Sequence, residues 1–167
     1  MIVAFKHMFH DNDLIDTLIS FCTISKFIHC QIIFSNDNVG SSWPETGVTL
    51  RPYKDVFTYP FLFTYITVDE LDEEATYRHF EANLGKKFDM IGSLAPFLNR
   101  SDKKHCSEIC YEALKKGGLK CDRKASRINP QTLFDILTEQ GNKDNLISGN
   151  QIQIMPKHDR FYACKTI

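Results

Sequence analysis

Six cysteines and six histidines are the side chains of this sequence best suited to nucleophilic or acid–base work near neutral pH. One cysteine stands apart by position. Cys106 opens the segment His105-Cys106-Ser107-Glu108-Ile109-Cys110-Tyr111-Glu112-Ala113-Leu114, in which Ile109, Cys110, Ala113 and Leu114 recur at helical spacing. That spacing predicts a helix from about residue 107 to 116, closed by Gly117-Gly118, with one face packed against an apolar layer. Cys106 then sits just before the helix. Backbone N–H groups there lack intrahelical partners, and the positive end of the helix dipole favours a thiolate. A cysteine so placed titrates below its free value of about 8.5. Cys110, one turn later on the apolar face, reads as an inert core thiol.

A thiolate nucleophile needs a base or an imidazolium beside it. His29 is the best candidate, because it interrupts an otherwise apolar run at residues 27–34. In a strand, His29 and Gln31 share one face, while Ile28, Cys30 and Ile32 point the other way into a core. A histidine and a glutamine on one face suggest a polar cleft, with Gln31 and the nearby Trp43 as substrate-binding residues. A third group should hold the imidazole in its useful tautomer. The adjoining segment offers Ser41, Ser42 and Glu45, with Ser41 the first choice.

Each of these residues also has a plainer reading. A cysteine at a helix start is often structural, and a strand histidine is often a hydrogen-bonded core residue. His105, Cys106, Cys110 and Cys121 match no paired zinc-ligand spacing, so no metal or other cofactor is expected. The lysine pairs at 86–87, 103–104 and 115–116 are flanked by acids and read as solvated surface. Lys103-Lys104-His105 would in addition raise the potential around the thiol. Asp89 reads as a structural residue of the turn before the nucleophile.

The elements that must position these groups follow from periodicity and breakers. A short strand is predicted at residues 2–5. A helix capped by Asp11 or Asp13 carries Leu14, Ile15, Leu18 and Ile19 on one stripe. After the histidine strand, Asn36-Asp37-Asn38-Val39-Gly40 is a turn cluster leading to a hairpin whose later strand spans residues 47–51. Residues 61–68 read as a buried strand. Residues 69–84 read as a helix with Leu71, Ala75 and Phe80 inward, ended by Gly85. Asn129-Pro130 is a helix start, and residues 152–167 read as strand. These elements make one mixed α+β domain over residues 1–167, with a mainly antiparallel sheet.

The bulk figures narrow the function class. The net charge is -1, from 20 basic and 21 acidic side chains, which gives no general pull toward nucleic acid or an anionic membrane. No apolar run reaches the roughly 18 residues of a membrane span. The start, from Met1 to His7, lacks the pattern of an export signal, so a cytoplasmic protein with reduced thiols is expected.

In its motifs the chain resembles the circularly permuted, papain-like NlpC-type superfamily, in which the catalytic histidine precedes the cysteine. The resemblance covers most of the sequence in order. It runs from Asp13-Leu14-Ile15 to the histidine strand, then to Ser41-Ser42-Trp43-Pro44-Glu45-Thr46-Gly47-Val48. Gly85-Lys86-Lys87-Phe88-Asp89-Met90-Ile91-Gly92 is similar to the family's Gly-Lys-x-Tyr-Asp-x-x-Gly. Cys106-Ser107-Glu108 is similar to its nucleophile motif, and Pro130-Gln131-Thr132-Leu133 to its later Pro-x-x-Leu segment. The nearest pattern is that of small phage-encoded members, which would place the protein in a host cytoplasm or a virion.

This resemblance implies an antiparallel sheet carrying His29, packed against the helix carrying Cys106. It implies attack by Cys106 on a peptide, amide or acyl-ester carbonyl and a thioacyl-enzyme intermediate. Two departures stand out: Gln31 where members often have an acid, and Phe88 for the usual tyrosine. The expectation is therefore a cysteine hydrolase of peptidase or amidase type. An acyltransferase or lipid esterase using the same pair is the enzymatic alternative. A catalytically silent interaction or virion-associated protein is the non-enzymatic one.

Overall fold

The computed structural model describes residues 1–7, 25–90 and 103–139, and the backbone of residues 146–148. The predicted helix around Leu14 to Ile19, the strand expected over 152–167, Cys22 and Cys164 all lie outside the described residues.

One antiparallel sheet organises the chain. Its strands are β1 (Ile2–His7), β2 (Phe27–Ile33), β3 (Asn38–Trp43), β4 (Gly47–Pro52), β5 (Phe63–Thr67) and β8 (Leu146–Ser148), in the order β4-β3-β2-β1-β5-β8. A two-stranded parallel ribbon pairs β6 (Lys87–Phe88) with β7 (Lys103–Lys104). Four α-helices complete the described fold: α1 (Tyr53–Val56), α2 (Glu73–Glu81), α3 (Cys106–Lys116) and α4 (Pro130–Glu139). The fold class is α+β.

The central strand β1 is apolar on both faces, as a covered strand must be. Val3 and Phe5 join Cys30, Ile32 and Phe34 under α3, where they meet Ile109, Cys110, Ala113 and Leu114. Ile2 and Ala4 face the other way, with Ile33, Val39, Phe57 and Tyr65. Alternation along β1 thus separates two cores, and α3 lies on the first.

Local chemistry sets the helix ends. Asp72 accepts from the Ala75 N–H and starts α2 four residues later than the sequence pattern predicts. Phe80 is buried as expected, but Thr76, rather than Ala75, is the second buried residue of that helix. His105 caps α3 by accepting the Glu108 N–H at Nδ1, 3.2 Å away. Cys106 is therefore the first helical residue, not the one before it. Asn129 Oδ1 accepts from the Thr132 N–H at 2.7 Å, which opens α4.

Two irregularities tie the sheet to the nucleophile segment. The β1–β2 register slips between Lys6 and His7, so that Lys6 faces His29, His7 faces Phe27, and Ile28 is skipped. This bulge returns Phe27 to the helix side of the sheet, which simple alternation from Cys30 does not predict. Bulges re-aim neighbouring side chains, and His29 adjoins this one. Gly47, at φ +70°, begins β4 where a Cβ would collide with the Lys86 carbonyl. The Val48 N–H donates to the Lys86 carbonyl at 2.8 Å, the Gly85 N–H donates to the Val48 carbonyl at 2.9 Å, and the Asp89 N–H donates to the Lys104 carbonyl at 3.2 Å. The buried Asp89 thus holds the stretch that leads to Cys106, in keeping with its structural reading.

Candidate active site

The first turn of α3 brings Cys106 to β2. Its thiol interacts electrostatically with the Cys30 thiol and the His29 imidazole, both carried by that strand. Cys106 keeps a 6% exposure where Cys30 and Cys110 have none, so it is the one thiol of the three that a reagent can reach. The Cys110 Sγ lies 3.7 Å from the Cys30 carbonyl and serves the core.

These contacts set the ionisation of the two sulfurs in opposite directions. Interaction with the Cys30 thiol first, and then with His29 and His105, holds Cys106 well below the usual thiol range despite its burial. Burial, reinforced by the neighbouring thiols, pushes Cys30 well above that range. These shifts favour the thiolate at Cys106 and the protonated thiol at Cys30 beside it. The helix N-terminus adds its partial positive charge on the same side.

The hydrogen bonds of Ser41 set which ring nitrogen of His29 faces it. Ser41 Oγ donates to the Cys30 carbonyl at 2.8 Å and lies 3.2 Å from His29 Nε2. A hydroxyl has one proton, and it is given to the carbonyl. Nε2 must therefore donate to Ser41, which leaves Nδ1 as the nitrogen available to Cys106. The regular β2–β3 pairing covers only Ile32 with Gly40 and Ile33 with Val39, so the Ser41 hydroxyl bridges the strands next to it.

The other predicted site residues fall elsewhere. Ser42 Oγ donates to the Lys104 carbonyl at 2.7 Å and fastens β3 to the nucleophile segment. Glu45 is exposed on the hairpin turn and has no contact with His29. Gln31 is only 1% exposed, with neither amide atom hydrogen-bonded, so the substrate contact expected of it is replaced by a place inside the sheet. Trp43 does flank the site. Its ring centroid lies 6.0 Å from that of His29, at an interplanar angle of 37°.

Sequence reasoning missed Cys30 and the flank of α3. The alternation that put Cys30 opposite His29 already directed it at the helix, but its link to Cys106 depends on the helix position. Lys104, read as solvated, is largely buried. Its Nζ lies 3.0 Å from Glu108 and 2.7 Å from Glu112, one and two turns into α3. Burial alone would lower Lys104, yet the two carboxylates hold it above the usual lysine range. Glu112, in contact with His79 at 3.5 Å as well, is held below the usual carboxylate range against its own burial. The charge of Lys104 is therefore spent on carboxylates rather than on the thiol.

No protein-family model and no curated protein matches the chain. Its fold has a solved counterpart. The chain is similar to the metalloprotein yiiX from Escherichia coli O157:H7, described as DUF1105, with a TM-score of 0.52. The superposition covers 93% of this chain and 92% of that one, at 16% identity, and the likeness is one of fold.

Proposed function

We propose that this chain is a cysteine hydrolase of peptidase or amidase type, built on the permuted papain-like plan and acting through a thioacyl-enzyme. The observation that carries this reading is the line Cys106–His29–Ser41, a thiolate at a helix start, an imidazole beside it, and a hydroxyl fixing the far nitrogen. Cys106 attacks the carbonyl carbon. The Cys106 backbone N–H, among the first-turn groups with no intrahelical acceptor, stabilises the oxyanion. His29, as the imidazolium, gives its proton to the leaving atom, and later takes one from the water that releases the acyl group.

An orienting group already bonded to the imidazole supports the enzymatic reading over a silent, interaction-only protein. The structural neighbour is titled a metalloprotein. Among the described residues of this chain, no group of three or more His, Cys, Asp or Glu is arranged to hold a metal ion. Among the same residues, no helix is long and apolar enough to cross a membrane.

The test is to trap the acyl-enzyme. With 4-nitrophenyl acetate, mass spectrometry should find one acetyl group on Cys106 and none after Cys106→Ala. Acetylation spread over several cysteines would sink the proposal.

A further inference from the structure

Arg51, beside the proposed site, is a cation with no carboxylate partner among the described residues. It arises on β4 opposite Val39 and reaches back along the hairpin, with its Cζ 4.2 Å over the Trp43 ring. One terminal nitrogen donates to Thr46 Oγ1 at 2.6 Å. Among the described residues, no ion pair uses the remaining guanidinium donors. Arg51 and Trp43 are each only half-buried, so this cation is held in place and open to solvent. The Trp43 centroid lies 6.0 Å from the imidazole, so the guanidinium carbon is at most 10.2 Å from His29, the two separations laid end to end.

Chemistry fixes which part of a substrate lies there. In the acylation step the Cys106 sulfur forms a bond to the carbonyl carbon and the bond to the leaving nitrogen or oxygen breaks. The leaving atom departs with the proton from His29, so the leaving group must lie on the imidazole side. Trp43 adjoins the imidazole, and Arg51 lies over Trp43. The indole gives a flat apolar wall, and the stacked guanidinium presents a planar fork of donors suited to a carboxylate.

We propose that Arg51 is a specificity residue that binds a carboxylate on the leaving group of the substrate. Preferred substrates are then amides or esters whose leaving portion carries a carboxylate a few bonds beyond the scissile atom, as a carboxyl-terminal amino acid does. This inference rests on the reading of Cys106 and His29 given above and adds the substrate class.

A matched pair of probes separates the two claims. 4-Nitrophenyl acetate and its 3-carboxy analogue deliver the same small acyl group and differ only in a carboxylate on the leaving phenolate. Single-turnover acetylation of Cys106 should be about tenfold faster with the carboxylated ester than with the neutral one. An Arg51→Gln variant whose far-UV circular dichroism matches the wild type should lose that preference. Arg51→Lys, which keeps charge but loses the fork, should retain only part of it. If the ratio of rates is the same in the wild type and Arg51→Gln, the role of Arg51 is overturned and the nucleophile stands. If neither ester labels Cys106, both claims fall.

Discussion

The two flanks of α3 use buried ionisable groups in opposite ways. On the outer flank, Lys104, Glu108, Glu112 and His79 form a line in which each charge faces an opposite partner. At the first turn, Cys106 is met by a thiol, an imidazole and a helix end, with no lysine or arginine ion pair among the described residues. The lysine line holds the helix in place, while the thiolate is kept ready to react. Breaking the first should cost stability, and altering the second should change reactivity.

The largest effect is expected at the imidazole. His29→Ala should slow acetylation of Cys106 near neutral pH by roughly a thousandfold, the usual scale for loss of an acid–base partner, with little change in the unfolding midpoint. Next comes the flank. Lys104→Met leaves two carboxylates without their cation, one of them on a side chain only 4% exposed, and should cost about 3 kcal/mol in urea unfolding. Its Cys106 should keep wild-type reactivity. A large loss of thiol reactivity in folded Lys104→Met protein would erase the distinction between the flanks.

Smaller changes sharpen the account of the thiolate. Cys30→Ala removes the neighbouring thiol that favours the ionised form, so the pH at which Cys106 ionises should rise. The sign follows from the shift: a lowered thiol pKa keeps Cys106 ionised down to lower pH, and loss of a stabilising neighbour moves that limit up. Ser41→Ala removes the hydrogen bonds to His29 and to the Cys30 carbonyl and should slow acetylation about fivefold, without moving the midpoint of unfolding far.

Much of this architecture was legible in the sequence. The apolar positions 109, 110, 113 and 114 gave the helix and its buried face, and a histidine inside an apolar strand marked β2. What was hidden depends on contacts between segments distant in sequence. The bulge at Ile28 comes from the pairing of β1 with β2, so no property of residues 27–34 alone reveals how His29 is aimed. The choice among Ser41, Ser42 and Glu45 depends on where β3 stops pairing with β2. Lys104 looked solvated because its carboxylate partners lie one and two turns along a helix it precedes. That i, i+4, i+8 spacing was present in the sequence and would have found them.

The central claim is that Cys106 is a thiolate because of where it sits. The most direct measurement is iodoacetamide alkylation as a function of pH, with each cysteine followed separately by peptide mapping. Cys106 should react at a constant rate from alkaline pH to well below pH 8, while Cys110 stays nearly unreactive throughout. In His29→Ala the Cys106 profile should move toward that of an ordinary thiol, with a midpoint of about 8.5. A Cys106 that in the wild type already follows the ordinary thiol profile would contradict the account.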